Sequence, residues 1–205
     1  NNQQKLDNIT DLNIEEYLSL NDFKKNQASV LKDIDIIYHL GACSSTTENS
    51  WEYLYEKNYK MTLNLVSDFI NLKRISSNLD RKMVIASSAS TYGNGENGFN
   101  DCLEDIEKLK PLNSYGLSKQ LADLYLKSRN YLSEILSLKF FNIFGVNEFH
   151  KGEMRSIAHW GVDSVIKNKS IRLFKSDNKL YKDGEQVRDF LDANNAVLMM
   201  DYLVR

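Results

Sequence analysis

Proline occurs once in the 205 residues, at Pro111, and cysteine twice, at Cys43 and Cys102. Two cysteines cannot build a disulfide framework, nor a zinc site without other ligands. His39, His150 and His159 fall in separate segments without metal-ligand spacing, so no metal is expected. Glycine is also scarce: there are nine, and none precedes Gly41. No run of 18 apolar residues exists, and Asn1-Asn2-Gln3-Gln4-Lys5 lacks the apolar stretch of a signal peptide. The 26 basic side chains nearly balance the 28 acidic ones, which leaves no electrostatic footprint for nucleic acid or an anionic membrane. Neither is expected as a partner, and a cytoplasmic location is.

What is present is a foldable apolar inventory. Hydrophobic residues make up 42% of the chain, with 9 Phe, 2 Trp and 11 Tyr, so global disorder is excluded. Short β-branched runs alternate with longer helical periods. Ile34 to Leu40, Met83 to Ala86 and Ile135 to Phe141 read as strands. Trp51 to Lys73 and Ser114 to Asn130 read as helices, the first with Leu54, Met61, Leu65, Val66, Phe69 and Ile70 on one side. Residues 6–9 and 171–174 are further candidate strands, and Ala193 to Val204 a closing helix. This alternation predicts an α/β fold, a doubly wound parallel sheet of Rossmann type, in which ligands lie beyond the carboxyl ends of the strands.

Three strand ends carry chemistry. The first opens into Gly41-Ala42-Cys43-Ser44-Ser45-Thr46-Thr47-Glu48. Small residues and hydroxyls there suit a flat or anionic ligand, but Ser/Thr before Glu equally suits capping of the next helix. The second opens into Ser87-Ser88-Ala89-Ser90-Thr91-Tyr92-Gly93, whose hydroxyls can bind a substrate hydroxyl or satisfy loose backbone groups. Tyr115 and Lys119 stand four apart at the start of a helix and share a face. An ammonium beside a phenol favours the phenolate, so the pair, next to a serine, predicts a proton-transfer unit for alcohol–ketone chemistry with a lowered phenol pKa. A solvated helix face is the other reading of a lone Tyr-x-x-x-Lys.

In this order, the three segments resemble the extended short-chain dehydrogenase/reductase superfamily. Gly41 to Glu48, Pro111-Leu112-Asn113-Ser114-Tyr115-Gly116-Leu117-Ser118-Lys119, and Phe141-Asn142-Ile143-Phe144-Gly145 followed by His150-Lys151-Gly152-Glu153-Met154 are similar to the ADP-L-glycero-D-manno-heptose 6-epimerase family, from about Lys5 to Phe190. The resemblance implies inversion at C6 of an ADP-linked heptose for the lipopolysaccharide core, by transient oxidation and re-reduction with bound NADP. It implies Tyr115 and Lys151 as acid/bases on opposite faces, Ser88 on the reacting oxygen, and Lys119 tuning Tyr115 while binding the ribose. Lys5, Leu40, Gly41, Ala42, Cys43, Ser44, Asn58 and Ile143 would meet the cofactor. Asn142, Glu153, Trp160, Phe174, Lys175, Ser176, Asp177 and Arg188 would meet the ADP-heptose together with Ser88. Homo-oligomers are implied as well.

The chain departs from the family's pattern at Leu40 (often polar), Lys57 before Asn58-Tyr59 (often Asn), Glu153 (often a small hydroxyl) and Trp160 (often His). The Gly-x-x-Gly-x-x-Gly turn that cradles a dinucleotide pyrophosphate is not among these residues. Arg188-Asp189-Phe190 runs directly into Leu191-Asp192-Ala193, without the strand residues the family shows between them. The sequence is therefore expected to be an incomplete stretch of a longer protein. The expected division is 1–145 as a cofactor-binding domain without its first βα unit, and 146–205 as part of a substrate domain, with 185–205 able to return to the first. Two other readings stay open. One is another nucleotide-sugar epimerase or dehydratase, the latter disfavoured by Ser88-Ala89-Ser90-Thr91, which lacks the acidic pair. The other is a non-catalytic binding protein of the same fold.

Overall fold

The computed structural model describes residues 2–76, 80–176 and 181–205. In chain order they form α1 (Asn2–Asp7), α2 (Leu20–Val30), β1 (Ile36–His39), α3 (Trp51–Leu54), a π-helical turn (Tyr55–Lys60), α4 (Met61–Ser76), β2 (Lys82–Ser88), 3-10 turns at Ala89–Tyr92 and Leu103–Lys108, and α5 (Ser114–Ser128). Then follow β3 (Leu136–Phe140), β4 (Asn142–Phe144), a 3-10 segment (Phe149–Met154), α6 (Ile157–Asn168), β5 (Phe190–Asp192) and α7 (Ala193–Val204). They fall into two compact units, 16–140 with 203–205, and 1–15 with 141–202.

The larger unit is the expected α/β layer arrangement. Its sheet runs β1-β2-β3, all parallel, with Ile37 beside Met83 and Val84 beside Leu136. The middle strand is covered on both faces, as parallel strands require: Met83, Val84 and Ile85 are each no more than 2% exposed. On α4, the buried residues Thr62, Leu65, Val66, Phe69 and Ile70 repeat at three and four residues, and the last four lie in one core with Leu31, Met83, Ile85, Leu126 and Ile135. Parallel pairing puts all three carboxyl strand ends at one edge, and the 40–48 and 87–93 segments emerge there.

That edge is also where this unit buries charge. Asp123 of α5, 2% exposed, accepts from Ser87 Oγ at 2.6 Å, Ser137 Oγ at 3.0 Å and Lys139 Nζ at 2.5 Å. Lys139 also donates to Thr91 Oγ1 at 2.9 Å and stands 5.6 Å from the Tyr92 ring centre. A carboxylate this deep is tolerable because every donor around it is supplied. The network ties α5 to the ends of β2 and β3. A second tie fixes β1: His39 Nε2 lies 2.9 Å from Thr62 Oγ1, and that hydroxyl donates to Asn58 O at 2.8 Å. With the threonine proton committed, His39 is the donor and its Nε2 carries the hydrogen. Burial, with the Lys119 charge adding to it, lowers the His39 pKa to about 4, so the imidazole is neutral at pH 7.

In the smaller unit, β4 pairs with β5 in parallel, Ile143 beside Leu191. Two expected strands do not form. Residues 6–9 are the end of α1 and a turn, with Ile9 N donating to Leu6 O and Thr10 Oγ1 to the same carbonyl. Residues 171–174 are irregular, and Phe174 O accepts from Gly184 N at 2.9 Å. Among the described residues no helix is long and apolar enough to cross a membrane.

Two measurements follow. Lys139→Met leaves the Asp123 charge without its cation, and urea unfolding should show a loss of about 3 kcal/mol or more, as broken buried pairs do. For His39, the folded-state pKa lies below the free value of 6.5, so between pH 6.5 and 4 the unfolded chain binds the extra proton and stability falls as pH falls. His39→Gln should flatten the stability–pH curve in that window relative to the parent protein.

Candidate active site

The site in the larger unit starts from one buried amide. Asn58 is fully buried in the π-helical turn, a wider turn of a kind found often at functional sites. Its Oδ1 accepts from Cys43 N at 2.8 Å, while Nδ2 donates to Cys43 O at 2.9 Å and to Ser118 Oγ at 3.1 Å. Ser118 in turn donates to Tyr115 O at 2.7 Å. One side chain thus clamps the turn after β1 to the first turn of α5. Asn58, expected among the cofactor contacts, has both polar atoms of its amide engaged by protein and shapes the turn from behind. Leu40, Gly41, Ala42 and Ser44 of that turn are exposed and Cys43 is half-buried. Apart from its chain neighbours, no heavy atom lies within 4 Å of where a Gly41 Cβ would stand, so the surface beyond it is open.

Helix α5 begins at Asn113, whose side chain caps it by accepting from Gly116 N at 2.7 Å. Glycine at 116 is required by packing: a Cβ there would stand 2.7 Å from Ser90 O and 2.9 Å from Pro111 Cβ. This contact sets Tyr115 against the serine turn. The Ser88 hydroxyl, on a residue 7% exposed, accepts from Ser90 N at 3.1 Å and is near enough to the Tyr115 phenol to bear on its pKa.

The electrostatics differ from expectation at the phenol. Burial raises the Tyr115 pKa above its ordinary value near 10, the Ser88 hydrogen bond opposes this, and Cys43 adds to it; the Lys119 charge is not among the causes. The reason is where the ammonium points. Lys119, 6% exposed, donates to Ala86 O at 2.6 Å, and burial lowers its pKa to about 8 against a smaller opposing pull from Asp123. The site therefore holds a buried neutral phenol and, four residues along the same helix, a buried ammonium whose pKa is lowered to about 8.

The remaining candidates lie in the smaller unit. Asn142 Nδ2 donates to Asp189 O at 2.8 Å, with half-buried Ile143 next to it on β4. Arg188 is exposed, and its guanidinium donates to Val187 O. Lys151 is exposed on the 3-10 segment and pairs with Glu148 at 3.3 Å. Glu153 is exposed, Trp160 half-buried on α6, and Lys5 exposed on α1. Phe174 and Lys175 are exposed, and Ser176 N donates to Asp183 Oδ1 at 2.7 Å. Asp177 lies outside the described residues. The structure thus brings together Ser88, Tyr115, Lys119 and the 40–44 turn in one unit, and Asn142 with Ile143 in the other.

Three residues with a part in this architecture are absent from the sequence reading: Asp123, Lys139 and Glu148. For Glu148 a signal existed, an acid three residues before Lys151 in Asn147-Glu148-Phe149-His150-Lys151, the spacing of a helical ion pair. For Asp123 and Lys139 no local signal existed, because their contact joins a helix to a strand. Among the described residues no cluster of His, Cys, Asp and Glu could hold a metal.

The profile of the NAD dependent epimerase/dehydratase family matches residues 1–205. The ADP-L-glycero-D-manno-heptose-6-epimerase of Nitratidesulfovibrio vulgaris is 40% identical over 173 residues, 84% of this chain and 51% of that protein. The enzyme of that name from Fusobacterium nucleatum is 39% identical over 175 residues, again 84% and 51%. The chain thus spans about half the length of these curated relatives. Among solved structures, the Helicobacter pylori ADP-L-glycero-D-manno-heptose-6-epimerase superimposes with a TM-score of 0.68 at 24% identity, over 94% of this chain and 56% of that one. The UDP-glucuronic acid 4-epimerase of Bacillus cereus gives 0.65 at 19%, over 100% and 61%. These likenesses establish the Rossmann-like fold, and the sequence matches carry the assignment: the chain belongs to the NAD dependent epimerase/dehydratase family.

Proposed function

We propose that this chain is part of an NADP-dependent epimerase acting at C6 of the heptose in an ADP-linked sugar, interconverting the D-glycero and L-glycero forms. The observation that carries the redox-epimerase chemistry is the buried Tyr115 phenol, on whose pKa Ser88 bears, on one helix with the buried Lys119 ammonium. The heptose part of the reading rests on likeness to the heptose epimerases and on Lys151 in His150-Lys151-Gly152.

The donor set fits the nicotinamide–ribose half of a dinucleotide: a phenol, a serine hydroxyl and an ammonium, beside a backbone turn at 40–44 that is open at Gly41. Lys119 uses one N–H on Ala86 O and has two left for ribose hydroxyls. Leu40 to Ser44 and Ile143 would line the cofactor, and Lys5 would meet the 2′-phosphate that separates NADP from NAD. When bound, the nicotinamide accepts a hydride from the sugar carbon and returns it. Tyr115, as phenolate, takes the hydroxyl proton as that carbon becomes a carbonyl, and Ser88 holds the reacting oxygen. Its raised pKa makes Tyr115 a reluctant phenolate at rest and a strong base once formed, with Lys119 as the nearby proton reservoir. Inversion requires hydride and proton to return with the opposite geometry, and Lys151 is assigned to donate that second proton. Asn142, Glu153, Trp160, Phe174 to Asp177 and Arg188 are assigned to the sugar and its diphosphate, Arg188 because a guanidinium matches phosphate oxygens. Homo-oligomers are expected of the intact protein.

The test uses the intact protein with both ADP-heptose epimers and assays for released NADP. Tyr115→Phe and Lys151→Ala should each lower turnover by about a hundredfold or more, the scale of general acid–base catalysis. Full activity of Lys151→Ala with a 4-epimerised nucleotide sugar as product would replace this reading by a 4-epimerase. Purified intact protein without any nucleotide would favour the non-catalytic one.

A further inference from the structure

We propose that Glu148 is the positioning residue for Lys151, holding its ammonium at a fixed place; the inference rests on the reading of Lys151 as the second acid/base. An ordinary surface pair at three-residue spacing would mean little, since two mobile side chains in water contribute almost nothing. This pair is not of that kind. The Glu148 side chain is 4% exposed while that of Lys151 is 41% exposed, so one partner is built into the protein and the other leans on it.

A buried carboxylate is costly unless its lone pairs are filled. Those of Glu148 are. Oε1 accepts from Gly145 N at 3.0 Å and Ser156 Oγ at 2.8 Å. Oε2 accepts from Ser156 N at 2.8 Å and Lys151 Nζ at 3.3 Å. The donors come from three separate pieces: the turn after β4, the N-cap of α6 and the 3-10 segment. The direction at Ser156 is fixed as well, because its oxygen accepts from His159 N at 3.1 Å and so its proton goes to Glu148. Burial alone would raise the Glu148 pKa, but these donors together with the Lys151 charge hold it at about 2. Three donors anchor the anion without any help from Lys151, which makes it a preformed seat for the ammonium. The backbone completes the seat, since Lys151 N donates to Glu148 O at 2.9 Å, and Gly152 with φ of 56° turns the chain away immediately after. Two of the three ammonium N–H groups remain for a substrate oxygen.

Glutamine at 148 cannot replace this. Its NH2 must face either Gly145 N–H or the Ser156 N–H and Lys151 side, so one donor always meets another donor. The experiment is a double-mutant cycle on the intact protein with ADP-heptose, using Lys151→Ala, Glu148→Gln and the pair. Glu148→Gln is expected to lower kcat by about ten- to a hundredfold, the scale of an acid/base displaced by about an ångström, with KM changed less than about twofold. In the Lys151→Ala background the same substitution should cost nothing further. Ser156→Ala removes one anchor and keeps the charge, so it remains informative if the glutamine variant does not fold. It should lower kcat by about threefold in the parent and not at all beside Lys151→Ala. In 13C-methylated protein, the Lys151 signal, identified by its loss in Lys151→Arg, should shift in Glu148→Gln. Unchanged kcat in Glu148→Gln while Lys151→Ala is inactive overturns the inference alone, as does an equal loss in both backgrounds. Full activity of Lys151→Ala overturns the underlying reading of Lys151 instead.

Discussion

The geometry of the larger unit depends on a side-chain amide that never meets solvent. Asn58 supplies one acceptor and two donors, and the chain meets all three with the two sides of the Cys43 residue and the hydroxyl of Ser118. A loop leaving the end of a parallel strand has no ladder to hold it, so its backbone groups need partners from elsewhere. Here they come from a neighbouring helix, and the π-helical turn brings Asn58 to them. Because Ser118 passes the connection to the Tyr115 carbonyl, the loop after β1 and the residue bearing the phenol are referred to one anchor. Loss of that anchor would release both together, since an unsatisfied buried amide is costly on every side.

Lysines in three settings show how little the residue type alone decides. Lys139 lies against a buried carboxylate and serves the architecture, joining α5 to the ends of two strands. Lys119 is more deeply placed and has a backbone carbonyl where Lys139 has a carboxylate, and burial lowers its proton affinity. Lys151 stands at the surface with a buried carboxylate behind it, so the charge faces outward. The first arrangement joins a helix to two strands, the second sets an ammonium against a backbone carbonyl, and the third pairs an exposed ammonium with a buried carboxylate.

Much of this was legible in the sequence wherever the signal was local or periodic. The three strands, α4, α5 and α7 follow from short β-branched runs and from apolar spacing of three and four. The serine turn and the Tyr115–Lys119 spacing pointed to the carboxyl ends of the strands, and Ser88 does stand at the end of β2. Residues 6–9 and 171–174 misled because short apolar runs carry no period that separates strand from turn. The lowered phenol pKa expected of a lysine four residues away did not appear, since a shared helix face fixes only the side of the helix; the ammonium's direction depends on the Ala86 carbonyl of β2, remote in sequence. The Asp123 network was invisible for the same reason: its members are recognised only once a helix and two strands are docked.

The missing side chain at Gly116 has a consequence of its own. The helix carrying the phenol approaches the Ser90 carbonyl closely enough that a single added methyl group would stand 2.7 Å from that oxygen. That oxygen belongs to the backbone and cannot swing aside, so either the start of the helix or the serine turn would have to move. Position 116 therefore works as a spacer: its bare α-carbon lets the first turn of α5 lie directly against the backbone of the serine turn, and any side chain there would prise the two apart.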